Sequence, residues 1–289
     1  MKKRFVFNLT SIGAILVCLA QSLAAGETKF PLTNTDVLIH AWQEEVGTAR
    51  NNNVAAMSAT SGLLGGLIAA STDRRASTKA EEAVVQIREA LVGYEYSQVF
   101  ADKLMASIEW EQVASGATPG MQTVKVNWAD QQPLERPRLE VLPEVFFSTN
   151  LNTLVVRVRG ILVSPSNRQN GEPELQTLQR YEFAWPVTHL RKKTKRAAAA
   201  EAWAELPAER LIELIELGMD TVIELWNYHL ENPILPGGSG LWNPLYTAEV
   251  QYARKIDERD GLVWLKRSSG SSWLYAVHPN VFWAKVSVQ

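Results

Sequence analysis

The hydrophobic period of this chain changes from helical to alternating near Met121 and returns to helical over about 207–230, and no other feature constrains its fold as much. Upstream, apolar side chains recur at helical spacing. Val84, Ile87 and Leu91 follow Thr78 and Glu81, which are spaced as a capping box. Gly93 then interrupts, and Val99, Phe100, Leu104 and Ile108 form the stripe of a second helix over about 95–111. A shorter helix is expected over 33–49, with Thr33 and Asp36 as its capping pair, ended by the asparagines at 51–53. Downstream of Met121 the period is two. Val124, Val126 and Trp128 alternate with polar residues as in a half-buried strand, and a stretch broken by Pro133, Pro137 and Pro143 follows.

Residues 151–163 form the strongest strand pattern. One face carries Val156, Val158 and Leu162, and the other carries Arg157 and Arg159. The polar segment 165–174 leads into a partner strand through Tyr181, Phe183 and Trp185, so a long β-hairpin is expected. A single long helix is expected from about 207 to 230. Leu211, Ile215, Met219, Val222 and Trp226 line one side of it, and Glu209, Glu213, Glu216, Asp220 and Glu224 line the other. Acidic residues at this spacing repel one another, by a few tenths of a kcal/mol per pair, and so hint at a cationic neighbour such as the basic run 191–196, although two solvated faces are the plainer expectation. After the glycines near 237–240, four short strands are expected at 246–256, 262–267, 273–278 and 282–288 as an antiparallel meander. The class is therefore α+β: N-terminal helices packed with an antiparallel hairpin and a C-terminal meander, with the 207–230 helix between them.

The N-terminus reads as a cleavable export signal. Lys2, Lys3 and Arg4 precede an uncharged, mostly apolar run over 5–20, and Ser22 and Ala24 place small residues three and one before a cut after Ala24. Cys18 is a poor lipidation site because Val17 precedes it. The organisation expected is a signal over 1–24, an α-rich region over 25–120 and an α+β region over 121–289. Of the 29 lysines and arginines three leave with the signal, so 26 remain against 31 acidic residues, a net of −5 with histidine neutral. Such a balance gives no general drive toward nucleic acid. Cys18, the only cysteine, leaves as well, so neither disulfides nor thiolate chemistry are expected in the mature chain.

Residues 54–72 contain no charge and repeat Ser58, Gly62, Gly66 and Ala70 at intervals of four. On a helix this lines one face with small side chains and allows close approach of a second helix or of a membrane. A buried apolar segment is the plainer expectation. The Gly62-Leu63-Leu64-Gly65-Gly66-Leu67-Ile68 run, followed by Arg75-Ala76, Lys79-Ala80-Glu81 and a short helix, resembles uncharacterised envelope proteins and lipoproteins of proteobacteria over about 40 residues. The resemblance implies residence in the envelope and carries no activity.

Catalytic patterns are few. His40, His189, His229 and His278 lack metal-binding spacing, and Gly238-Ser239-Gly240 fails as a nucleophile elbow because Leu241 stands at the last glycine position. No phosphate-binding loop or dinucleotide fingerprint occurs, so no cofactor and no metal are expected. Three functions follow in order of preference. The first is an exported, non-enzymatic periplasmic protein that contacts another envelope protein or the membrane surface. Gly62, Gly66 and the basic run Arg191, Lys192, Lys193, Lys195 and Arg196 would make those contacts. The second is a glycan-binding module that uses Trp264 and Trp273 as stacking platforms. The third is a hydrolase built from dispersed carboxylates.

Overall fold

The hairpin expected from the alternating pattern at 151–163 organises the fold. In the computed structural model of this chain, β5 (Thr153–Ser164) and β6 (Glu174–Pro186) pair antiparallel along nearly their whole length, with Val156 opposite Phe183 and Val158 opposite Tyr181. The structure describes residues 30–42, 47–48, 85–124, 134–148, 151–165, 174–187, 196–233, 235, 241–244, 253–267, 272–279 and 282–286. Around the hairpin stand β1 (Asp36–His40), β2 (Gly47–Thr48), β3 (Gly120–Gln122), β4 (Arg138–Phe147), β7 (Leu241–Pro244), β8 (Ala253–Arg259), β9 (Leu262–Arg267), β10 (Ser272–Val277) and β11 (Phe282–Val286). Together they form one mixed sheet in the order β11-β7-β8-β9-β10-β6-β5-β4-β1-β3, with β2 beside β4. The fold is α+β.

The C-terminal strands do meander antiparallel through β8, β9 and β10, but β10 then joins β6 in parallel. Hence the hairpin and the meander are parts of one sheet. The β8–β9 turn places Asp260 and Gly261 at φ 49° and 74°. These left-handed values are those an Asp-Gly pair tolerates, and they match the twist of the flanking strands.

One sequence expectation is corrected. The helix expected over 33–49 is β1 instead, lying between β3 and β4 in parallel with both. Five residues there alternate, burying Val37 and Ile39, and ladder pairing on both sides outweighs a weak helical preference. Asp36 does not cap a helix but pairs with Arg136. The proline-broken stretch proves to contain β4, a ten-residue strand. Pro143 is accommodated because β1 pairs β4 only over 138–141 and β2 only at 146–147, leaving Pro143 unpaired on that side. Of the strand expected from Met121, the residues to Gln122 belong to β3, Val124 is 68% exposed, and 125–128 lie outside the described residues.

Among the described residues the helices lie on one face of the sheet. They are a helical stretch at 85–90, α1 (Tyr96–Ser107), the short α2 (Trp110–Val113), α3 (Arg196–Ala204) and the long α4 (Ala208–Glu231). Gly93, at φ +86°, separates the 85–90 stretch from α1. Leu211, Ile215, Met219, Val222 and Trp226 of α4 are all buried, and Tyr181 of β6 stacks on Trp226 at 5.2 Å. Gly218 marks the closest approach of helix to sheet. A Cβ there would lie 2.5 Å from Val156 Cγ2 and 2.7 Å from Phe183 Cδ1.

The acidic edge of α4 finds its partners within the fold. Lys103 of α1 reaches Asp220 at 2.6 Å, Arg259 of β8 reaches Glu224 at 3.0 Å, and Arg210 holds Glu213 at 2.7 Å. Tyr94 donates to Glu216 at 3.0 Å, and burial followed by that carboxylate raises its phenol above the ordinary value. No helix among the described residues is long and apolar enough to cross a membrane.

Candidate functional site

Strand alternation sends Leu139, Val141, Val145 and Phe147 of β4 toward the helices, and it sends Arg138, Glu140, Glu144 and Phe146 to the opposite face. On β5 and β6 the same rule turns Arg157, Arg159, Arg180 and Glu182 to that face, and on β10 it turns Trp273 and Tyr275. The register arranges these side chains in rows across the sheet. In one row Arg159 stands opposite Arg180, and Arg180 opposite Trp273. In the next, Glu144 stands opposite Arg157, Arg157 opposite Glu182, and Glu182 opposite Tyr275.

The ion pairs run along and between the rows. Glu144 accepts from Arg157 Nε at 2.7 Å and from Arg159 Nε and Nη2 at 2.9 and 2.7 Å. Glu182 accepts from Arg180 Nε at 2.7 Å, and Arg157 Nη1 lies 3.7 Å away. Guanidiniums also lie over rings: Arg157 over Phe146 at 4.5 Å, Arg180 over Trp273 at 4.8 Å and Arg267 over Trp273 at 4.1 Å. Burial opposes the charge of Glu144, but Arg157 and Arg159 overcome it and hold the carboxyl at about 2. Burial pushes Arg157 down to about 10, and Arg180 and Arg159 act in the same direction against Glu144 and Glu182. Glu144 therefore stays ionised at ordinary pH and is set up to hold arginines rather than to deliver a proton.

A second constellation lies further along the same face. His40 Nε2 and Glu140 Oε2 are 3.0 Å apart, and Glu140 Oε1 takes Arg138 Nε at 3.0 Å and Nη2 at 2.6 Å. Glu140 is fully buried, and His40 Nδ1 is a buried nitrogen with no hydrogen-bond partner. On the helix side, Tyr181 donates to Gln179 Oε1 at 2.9 Å, and its hydroxyl lies 2.8 Å from His229 Nδ1. Burial raises the Tyr181 phenol well above its ordinary value. Among the described residues no group of histidine, cysteine, aspartate and glutamate side chains is placed to hold a metal ion.

The residues expected to make contacts fall as follows. Gly62, Gly66, Arg191, Lys192, Lys193 and Lys195 lie outside the described residues, and Arg196 is the first residue of α3. Trp264 is corrected as a platform. It is 1% exposed on the helix side, with Tyr228 edge-on at 5.4 Å and Arg259 over its ring at 4.6 Å. Trp273 is half-buried, and its ring carries two guanidiniums where a sugar was expected. Sequence reasoning noticed Arg157 and Arg159 but missed Glu144, Arg180, Glu182, His40 and Glu140. The signal was present: charges at 180 and 182 alternate with buried aromatics at 181 and 183, as those at 157 and 159 alternate with valines.

No family model, curated protein or solved structure matches this chain.

Proposed function

We propose that this protein is an exported, non-enzymatic component of a Gram-negative cell envelope that works by binding another protein or the membrane face. The observation that carries the reading is the arginine–aromatic face of the sheet opposite the described helices. Arginine, tryptophan, tyrosine and phenylalanine are the side chains that interface cores favour, and guanidiniums stacked on rings and pinned by glutamates lose little entropy on binding. Trp273 and Arg159 remain partly open, Arg159 with 28% of its side chain exposed. The basic run 191–196 supplies a second contact surface in this reading, one suited to anionic headgroups.

Affinity capture of the mature protein from an envelope extract tests the reading, with Arg159→Ala as the comparison. A specific co-purifying protein or lipid whose recovery falls with Arg159→Ala is the expected result. Equal recovery with both proteins overturns the role of this face. Osmotic shock decides the membrane half: full release into the soluble fraction removes the membrane-face alternative. N-terminal sequencing of the released protein should begin at Ala25.

A further inference from the structure

Among the described residues, the charges around Trp273, on the face opposite the described helices, do not balance. Arg157, Arg159, Arg180 and Arg267 share a neighbourhood with Glu144 and Glu182, so four guanidiniums meet two carboxylates. Glu144 is committed to Arg157 and Arg159, and Glu182 holds Arg180 through Oε2, while its Oε1 has no hydrogen-bond partner. Arg267 makes no ion pair with a described residue, and its recorded contact is with the Trp273 ring. Partly buried positive charge without a counter-charge is unfavourable, and proteins relieve it by pairing.

A second observation falls on the same side chain. Trp273 Nε1 is a buried donor with no hydrogen-bond partner. An indole nitrogen can only donate, so an acceptor is what it lacks. Arg180 stands opposite Trp273 across the β6–β10 ladder, while Arg267 closes the neighbouring strand β9. Two guanidiniums thus lie over the ring that carries the unpartnered donor. Burial raises the phenol of Tyr275, which lies one row away; Arg180, Arg267 and Arg157 oppose that shift and Glu182 adds to it.

We propose that Trp273, Arg180 and Arg267 hold an oxyanion, a carboxylate or phosphate group, with the indole N–H as the neutral donor and the guanidiniums as the charged ones. Arg180 contributes charge and orientation while remaining on Glu182; Arg267 supplies the uncommitted fork, whose planar pair of N–H groups suits two oxygens of one anion. This deepens the contact reading above, on which it rests, by giving the partner's chemistry: an acidic group, presented at the N-terminal end of β10.

The test uses the full mature protein labelled with 15N. Trp273→Phe assigns one of the ten indole N–H resonances, and inorganic phosphate and acetate are then titrated at pH 7 and constant ionic strength. The expected result is a saturable shift of the Trp273 resonance with at least one anion, weakened about tenfold or more in Arg267→Gln, as loss of a charge-assisted pair implies, while other indole signals stay in place. Should Arg267→Gln fail to fold, Arg267→Lys replaces it; that variant keeps the charge but loses the fork, and a weakening of several-fold is expected. A Trp273 resonance that ignores both anions up to tens of millimolar overturns the proposal. So does a shift of unchanged midpoint in the folded arginine variant. Preference for phosphate points to a phosphate-bearing partner, and preference for acetate to a carboxylate-bearing one; either supports the site. Anion binding without a captured partner sinks the contact reading and leaves the oxyanion site. A captured partner with a silent indole does the reverse.

Discussion

The two faces of this sheet are built on the same strands and held by different forces. Toward the helices, Val156, Phe183, Tyr181, Trp226 and their neighbours exclude water by shape, and Gly218 lets α4 come closer than any side chain would allow. Away from the helices, the same strands present Glu144, Arg157, Arg159, Arg180 and Glu182, and cohesion there depends on each charge meeting its opposite. A smaller apolar cluster of Val155, Ala184, Val263, Leu265, Tyr275 and Val277 continues that face beyond the ionic rows. The difference teaches that strand alternation here does not separate core from solvent. It separates a surface held by packing from one held by pairing, and the two should fail under different conditions.

The largest effect should come from leaving a buried charge alone. Glu182 is fully buried, so Glu182→Ala removes the carboxylate that holds Arg180 and is expected to lower unfolding free energy by about 3–5 kcal/mol. Combining Glu182→Leu with Arg180→Met should recover most of that loss in urea denaturation. If the double variant is as unstable as the single one, pairing is not what holds this face.

The next test uses pH. The folded-state value of Glu144 lies below its ordinary 4.5, at about 2, so its contribution is complete above pH 4.5 and is lost as pH falls toward 2. Roughly 3 kcal/mol separates those limits on this basis, an order-of-magnitude figure. Glu144→Gln should flatten the fall in stability between pH 5 and pH 3, and an unaltered slope would remove the electrostatic account.

Gly218→Ala probes the opposite face. A Cβ driven against Val156 and Phe183 should cost about 1–3 kcal/mol, equally at pH 7 and pH 4. A strongly pH-dependent loss would blur the distinction between the faces. Smallest of all should be Lys103→Ala, which breaks an exposed pair with Asp220 at the outer edge of α4. About 0.2–1 kcal/mol is expected, and less in high salt.

Elements with long, self-consistent patterns were legible in the chain. The α4 stripe of Leu211, Ile215, Met219, Val222 and Trp226 reads directly as a buried face, and the alternation on β5, β6 and β9 reads directly as strands. Those patterns are local, and the water-excluding side they require does not depend on which neighbour supplies it. The candidate site was far less legible. Arg157 and Arg159 were visible as a polar alternation, but Glu144, Arg180, Glu182 and Trp273 come from three other strands, and Trp273 is more than a hundred residues from Arg157. Their meeting depends on register, and a shift of one residue would send each to the other face.

What the amino-acid order determined alone is the α+β class, the long amphipathic helix and the hairpin, because hydrophobic period is a property of consecutive residues. The tertiary structure decided the rest. It made 36–40 a strand, since ladder partners on both sides outweighed a capping pair, and 138–147 another, since Pro143 falls where β4 has a described partner on one side only. It joined meander to hairpin through the parallel β6–β10 contact. That contact placed Trp273 beside Arg180, and so brought guanidiniums to a ring that the chain by itself offered only as an aromatic on an alternating strand.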